Sequence, residues 1–532
     1  MRDFHQSGRS PVYSVNGMAA TSMPIASLTA IEVLRAGGNA VDAAVAACAV
    51  LAVVEPQSTG LGGDCFCLYA PPGDAKVVAV NGSGRSAGAA SLDAIRGAGP
   101  IPPDDISPHG VTIPGAVSGW QALLDAHGTK GFDELLLPAI RCAEDGFPVH
   151  QRVAWDWSMY ESKLQRAGNT LFLPGGRPPR EGDRFTQTAL AGTLRAIAKR
   201  GADAFYSGPV AAEMAATLKA AGGVQTEEDF ANGRHTAEFV EPISLQWRGL
   251  DVWQCPPNGP GLVALMILGE LEALGDAPDG PAGAMRFHRH IEAARMAYRD
   301  RGAFLADPRQ RETPLSRLLS RDYLAALAGH IDDKRALPSL PAPGEIALAA
   351  SGNTVTLSVV DRDGGACSLI NSIYQTFGSG ILAAGSGVLL QNRGLCFAFE
   401  PGHPNSFAPN TRPAHTIMPG LATRDGKPAI CFGVMGEHYQ PMGQTWVLSN
   451  AMEYGMDIQE ALDFPRVCPH LGEVEIERDV SPAMREKLNA LGHVLTEVER
   501  PLGGGQAIVI DRERGVLIGG SDPRKDGAAL GY

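Results

Sequence analysis

The feature that most constrains the fold is an abrupt change of pattern at residue 354. Residues 337–353 read Leu-Pro-Ser-Leu-Pro-Ala-Pro-Gly-Glu-Ile-Ala-Leu-Ala-Ala-Ser-Gly-Asn. Three prolines and two glycines in that run predict an extended, mobile connection. Strict alternation follows at once. Thr354, Thr356 and Ser358 are polar, and Val355, Leu357 and Val359 are apolar. A period of two predicts a half-buried strand. Asp361-Arg362-Asp363-Gly364-Gly365 reads as a turn and Ala366 to Ile370 as the returning strand. The chain therefore needs a sheet that accepts a hairpin beginning on a threonine, fed by a flexible loop.

Elsewhere helices dominate the pattern. Ile25 to Ala36 is amphipathic and stops at Gly37-Gly38, a C-terminal signal. A second helix is predicted from Ala40 to Val54, ending before Pro56. Its alanines suggest tight internal packing, and it is too short to span a membrane. Ser58-Thr-Gly-Leu-Gly-Gly-Asp64 is a glycine-rich turn leading into a strand, Cys65 to Tyr69. No Lys-Ser/Thr follows it, so it is no phosphate-binding P-loop. From about Gly115 to Ala336 the periodicity is mostly helical, clearest at His288 to Phe304. His288 and Glu292 are four apart there, but no third ligand is near in sequence, and a solvated helix face is expected in place of a metal site.

Composition narrows the function classes. A net charge of −13 argues against nucleic acid or an anionic membrane as partner. Nine scattered cysteines without a CxxC motif fit reduced thiols better than a disulfide framework. No apolar run follows a basic start in the first residues. A cytoplasmic protein is the expectation.

A threonine that opens a strand after a flexible loop can act as an N-terminal nucleophile. Its hydroxyl needs a base. If the Asn353–Thr354 bond is cut, the freed α-amine lies beside that hydroxyl and can take its proton. Such an amine has a pKa near 8, close to what general-base efficiency favours. The same hydroxyl can first attack the preceding carbonyl in an N-to-O acyl shift, so that the precursor cuts itself. Any threonine can begin a strand, however, and the pattern alone leaves a purely structural role open.

The motifs go further. Thr354-Val-Thr-Leu-Ser-Val-Val-Asp361 resembles the gamma-glutamyltransferase pattern Thr-Thr-His-x-Ser-Val-Val-Asp, whose first threonine is the nucleophile. The resemblance continues through Thr376-Phe-Gly-Ser-Gly380, Gly387-Val-Leu-Leu-Gln-Asn392, Arg412-Pro-Ala-His-Thr-Ile-Met-Pro419 and Gly433-Val-Met-Gly436. Glu55 to Gly63 and Asp300 to Pro308 are similar to family signatures as well. Ser372-Ile-Tyr-Gln-Thr-Phe-Gly-Ser-Gly380, Gln391-Asn-Arg-Gly394, Gln440-Pro441 and Asp522 to Tyr532 resemble the branch that includes oxamate amidohydrolase.

The resemblance implies an α+β fold of the N-terminal nucleophile hydrolase type, a four-layer αββα sandwich. It implies a large chain, residues 1–353, and a small chain, residues 354–532, intertwined as one structural unit. These fragments would form a heterodimer, or a dimer of such heterodimers, acting on a small-molecule amide. No metal and no organic cofactor is implied. Thr354 would be the nucleophile, and backbone N–H groups at Gly436 and Glu437 the oxyanion hole, where the family has a glycine pair. Arg85, Ser372, Arg393, His415 and Thr416 would bind substrate. The departures suggest a changed donor. Arg85 is displaced by about two positions from the glutamyl-binding arginine. Cys396 replaces an aspartate that holds an α-ammonium group, Arg393 replaces a glutamine, and His415 and Thr416 replace paired serines. Such a pocket would prefer a carboxylate without an adjacent cation. Three functions remain open at this point: gamma-glutamyl hydrolysis or transfer, hydrolysis of another amide such as oxamate, and an unprocessed relative that only binds ligand.

Overall fold

The computed structural model describes residues 5, 8–73, 76–342 and 354–532. It is a mixed helix-and-sheet structure. Among the described residues two seven-stranded sheets dominate. One runs in the order Ala528–Gly531, Met18–Thr21, Val355–Val360, Ala366–Ser372, Asp64–Ala70, Val78–Gly82, Glu238–Val240. The other runs Val12–Ser14, Val516–Ser521, Gly504–Asp511, Lys427–Met435, Pro419–Arg424, Leu250–Gln254, Ile243–Trp247. Every neighbouring pair in both sheets is antiparallel.

Three apolar clusters follow from this layout. Helices Pro24–Arg35 and Ala40–Val54 pack with Val355, Leu357, Val359, Cys367 and Leu369. Phe66, Leu68, Val360 and Ile370 of the first sheet pack with Leu421, Cys431 and Ile508 of the second. Helices Gly261–Leu274, Ala284–Phe304 and Gln440–Met452 pack with Val252, Phe432, Val434 and Ala507.

The predicted hairpin forms, with Val355 opposite Asn371 and Val360 opposite Ala366. Its burial corrects the sequence reading, because both faces of Val355–Val360 are buried. The polar side meets the second sheet and not water. Ser358 Oγ donates to Gln506 O (3.2 Å), Ser368 Oγ donates to Phe432 O (2.8 Å), and Thr356 lies against Gly433. Alternation marks two different surroundings, and here the second is protein.

The helix predicted over Ala40 to Val54 is found with those bounds and is buried all round. Asn39 caps it by accepting from Val41 N and Asp42 N, and the Asp42 carboxylate accepts from Asn39 N in return. Asp361, in the hairpin turn, accepts from Ala40 N (3.0 Å) and so fixes the hairpin to the start of that helix. The mostly helical reading of the middle segment missed the short pair Phe147–Pro148 and Arg184–Phe185 and three strands of the large sheets, Glu238–Val240, Ile243–Trp247 and Leu250–Gln254. No helix among the described residues is long and apolar enough to cross a membrane.

Candidate active site

The first described residue after the proline-rich stretch is Thr354, which is 2% exposed. The hairpin register, continued one step, places it opposite Ser372. Thr354 Oγ1 accordingly donates to Ser372 Oγ at 3.1 Å. Ser372 Oγ also accepts from Tyr374 N (2.9 Å) and from Arg393 Nη2 (3.1 Å). The glycine-rich turn makes room for this strand end. A Cβ on Gly63 would stand 2.3 Å from Ser372 O, and one on Gly62 2.0 Å from Leu389 O. Only glycine permits that approach.

Arg393 lies at the centre of the cluster and is fully buried. Its Nη1 donates to Thr416 Oγ1 (2.7 Å) and reaches Cys396 Sγ at 3.9 Å. Its guanidinium carbon sits 4.5 Å from the centroid of the Tyr374 ring. Tyr374 holds that position with φ of 74°, a conformation uncommon for a side chain of its size. Burial, then the Cys396 thiol, push the Tyr374 phenol well above its usual range, with Glu437 adding to the effect. Burial also raises the Cys396 thiol, against the opposing pull of Arg393. Arg393 makes no ion pair with any described residue, and its Nε has no hydrogen-bond partner among them. A buried guanidinium without a counter-ion is costly.

His415 stands behind Arg393 and not beside the threonine. Its Nε2 contacts Asp64 Oδ2 (3.1 Å), and its ring meets Phe66 edge-on at 4.9 Å. Asp64 Oδ1 accepts from Gly84 N, Gly115 N and Gln391 Nε2. Burial, then the Arg393 charge, hold the His415 pKa down to about 3, outweighing Asp64. His415 is thus neutral at working pH. Its contribution to stability is complete above the unfolded value near 6.5 and is lost as pH falls toward 3. The fall in unfolding midpoint from about pH 7 to about pH 4 is expected to be shallower in His415→Gln than in the parent chain. Equal slopes by thermal melts would contradict the buried neutral histidine.

The Gly436–Glu437 turn follows the strand Lys427–Met435. That strand meets Val355–Val360 where Gly433 faces Thr356, since a Cβ on Gly433 would clash with Thr356 Oγ1 at 2.0 Å. Gly436 has φ of 121° and a virtual Cβ 2.5 Å from Gly503 Cα, and Glu437 has φ of 53°. Glycine is required at 436, and two successive left-handed residues turn the backbone sharply, as anion-binding backbone concavities do.

The structure thus brings together Thr354, Ser372, Arg393 and Thr416. It does not bring Arg85 to them. Arg85 pairs with Asp307 (2.8 Å) and Glu238 (3.7 Å) and donates to Asn410 O. Glu238 is shared with Arg309 and Arg412, so Arg85 belongs to an ion-pair network, and no described hydrogen bond or ion pair joins it to Thr354, Ser372 or Arg393. Asn353, the residue expected before the cut, lies outside the described residues. Tyr374 and Asp64 were missed as site residues. Their only sequence signals were places in a shared segment and directly after the glycine-rich turn. The solvated face expected at His288 and Glu292 is also corrected: both are buried, and His493 joins them from far along the chain.

Comparison with known proteins agrees with this geometry. The gamma-glutamyltranspeptidase family pattern matches residues 26–532. The glutathione hydrolase-like YwrD proenzyme of Bacillus subtilis is 36% identical, over 98% of this chain and 99% of that one. The oxamate amidohydrolase proenzyme of Klebsiella pneumoniae is 37% identical, over 98% and 99%. The crystal structure of cephalosporin acylase from Bacillus halodurans superposes with a TM-score of 0.92 at 36% identity, covering 100% of this chain and 98% of that one. A match of this extent, on a chain whose buried threonine meets a buried arginine through Ser372, is a family relationship: the chain belongs to the gamma-glutamyltranspeptidase family.

Proposed function

We propose that this enzyme cuts its own chain between Asn353 and Thr354 and then uses Thr354 on small amide donors that carry a carboxylate but no α-ammonium group. The observation that carries the reading is Arg393, buried without a counter-ion among the described residues and joined to Thr354 through a shared hydrogen-bond partner, Ser372. A donor carboxylate on Arg393 would neutralise it by charge-assisted hydrogen bonds and hold the scissile carbonyl near Thr354 Oγ. Thr416 and Tyr374 fix the guanidinium from two sides.

The reaction follows from these positions. In the uncut chain Thr354 Oγ attacks the carbonyl of Asn353 and the C–N bond breaks, which frees the α-amine and leaves an ester on Oγ; water then hydrolyses that ester, releasing the Asn353 carboxylate and restoring the Thr354 hydroxyl. In the cut enzyme that amine takes the Oγ proton as Oγ attacks the donor carbonyl. Backbone N–H groups at Gly436 and Glu437 would stabilise the oxyanion. The proton passes to the departing amine. Water or a second amine, deprotonated by the same α-amine, resolves the acyl-enzyme and restores the hydroxyl.

The proposal includes residues 1–353 and 354–532 as the two fragments, held together as one heterodimer because each sheet contains strands from both sides of residue 354. It also includes the four-layer αββα order, supported by one apolar cluster between the sheets and one on the far side of each. A cytoplasmic setting is supported by nine free cysteines, with Cys67 Sγ and Cys367 Sγ unbonded at 3.5 Å. The test is a panel of glutathione, a gamma-glutamyl anilide and oxamate. Turnover of oxamate above both gamma-glutamyl donors is expected. Turnover of glutathione alone would restore the ordinary gamma-glutamyl reading.

A further inference from the structure

Two groups of three potential metal ligands are assembled among the described residues. The first, His288, Glu292 and His493, has its lone pairs in use. His288 Nδ1 meets His493 Nε2 at 2.8 Å, and His288 Nε2 meets Asp332 O at 3.0 Å. The Glu292 oxygens accept from Arg295 Nη1 (2.7 Å) and Leu337 N (2.9 Å). This group is a hydrogen-bonded staple between a helix and the segment that leads to the proline-rich stretch.

The second group is His438, His470 and Glu475. His470 and Glu475 come from a hairpin, Val467–His470 and Glu473–Ile476, in which His470 is opposite Glu473 and Cys468 opposite Glu475. The two side chains therefore share one face as diagonal neighbours. The connection is two residues, Leu471 and Gly472, with φ of 50° and 87°, the twist that a tight hairpin needs. His438 comes from the short helical turn that follows Gly436. Tyr298 Oη donates to His438 O and ties that turn to the helix Ala284–Phe304.

The donor atoms converge. His438 Nε2 and Glu475 Oε2 are 3.2 Å apart, and so are His470 Nδ1 and Glu475 Oε1. The two imidazoles stack at 4.1 Å with 24° between planes. All ligand atoms lie within 4.8 Å of one another. Zinc bonds of about 2.0–2.1 Å place tetrahedral donors about 3.4 Å apart. The donor spacing is close to this, and the two stacked rings must tilt apart for both in-plane lone pairs to meet one ion. The far nitrogens, His438 Nδ1 and His470 Nε2, have no hydrogen-bond partner among the described residues. Among the described residues each ring is thus oriented by the shared carboxylate and by stacking on the other ring. His438 and Glu475 also line a cavity of about 250 Å³ together with Gly436, Glu437, Arg500 and Lys525.

We propose that His438, His470 and Glu475 bind one divalent transition-metal ion of the zinc class, with a further coordination position open to the cavity at the Gly436–Glu437 turn. Two imidazoles and one carboxylate are the donor set of zinc-type sites and a poor one for calcium or magnesium, which take oxygen. Arg301, stacked 4.7 Å from the Tyr298 ring, adds a nearby cation that disfavours ions held by charge alone. No step of the amide chemistry passes through this ion, so the site stands or falls apart from the Thr354 assignment.

The experiment uses the full chain after dialysis against EDTA. Cobalt(II) is titrated while its visible absorption is followed, and zinc binding is measured by calorimetry. One equivalent per chain with the strong absorption of a tetrahedral cobalt site is expected. Glu475→Gln and His470→Ala each remove a ligand and should weaken binding by more than the roughly 10–100-fold that loss of an outer-shell partner costs. His493→Ala should leave it unchanged. Circular dichroism in EDTA checks that the variants fold, and His470→Gln replaces His470→Ala if the latter does not. No stoichiometric uptake by the parent chain, uptake that survives in folded Glu475→Gln and His470 variants, or loss in His493→Ala would each overturn the proposal.

Discussion

Thr354→Ala is expected to leave all 532 residues in one piece and to show no amide turnover above background. Both losses have one cause. Cleavage needs the Thr354 hydroxyl to attack the carbonyl of residue 353, and turnover needs the same atom to attack the donor. Removal of a nucleophile from an assembled site costs on the order of 10⁴-fold or more in kcat. The fold should survive, because Thr354 Oγ1 is one of three groups that donate to Ser372 Oγ, and Tyr374 N and Arg393 Nη2 remain. Thr354→Ser keeps a hydroxyl and should process slowly, so the pair of variants separates chemistry from folding. A denaturing gel and an amide assay read both. Wild-type turnover by Thr354→Ala would remove the threonine from the mechanism.

The second large effect concerns specificity. The parent enzyme is expected to favour a glutaryl donor over its gamma-glutamyl counterpart, and Cys396→Asp to shift that ratio toward gamma-glutamyl. Cys396 Sγ lies 3.9 Å from Arg393 Nη1, and no carboxylate among the described residues pairs with that arginine. An α-ammonium group there meets a like charge and no acceptor of its own. A missing charged hydrogen bond of about 1.5–3 kcal/mol is worth roughly ten- to more than a hundredfold. An aspartate at 396 would change two things at once. It would supply the acceptor for an ammonium group, and it would neutralise Arg393 and weaken a bare carboxylate. Arg393→Lys tests the same site from the other side, because a lysine keeps the charge but loses the two-pronged fork that reaches Ser372 and Thr416. It should lower kcat/KM for the carboxylate donor by about tenfold or more. A parent enzyme that prefers the gamma-glutamyl donor by about a hundredfold would show that other residues hold the ammonium group.

Local signals in the sequence were strong where one segment determines its own shape. The alanine-rich run and Pro56 marked the helix Ala40–Val54, and the structure adds its Asn39 cap. Alternation from Thr354 and the Asp361 turn marked the hairpin. The same alternation could not say what lay on its polar face, since Gly433 and Gln506 are far along the chain. His288 and Glu292 misled for that reason too. Their burial comes from His493 and from the segment at Asp332 and Leu337, none of which a helical period can announce. Arg393 was legible as an odd residue in a family motif, but that no described carboxylate pairs with it is visible only in three dimensions. Arg85 shows the converse. An arginine near the right motif is drawn into an ion-pair network with Asp307 and Glu238, which sequence proximity could not reveal.

The most direct test of self-cleavage is the intact mass and N-terminal sequence of the purified protein. From 55.9 kDa, a cut before Thr354 should give fragments of roughly 37 and roughly 19 kDa, in equal amounts and co-eluting under native conditions. The small fragment should begin Thr-Val-Thr-Leu. A single uncut chain with full amidase activity, or a small fragment that begins at any other residue, would contradict the assignment of Thr354.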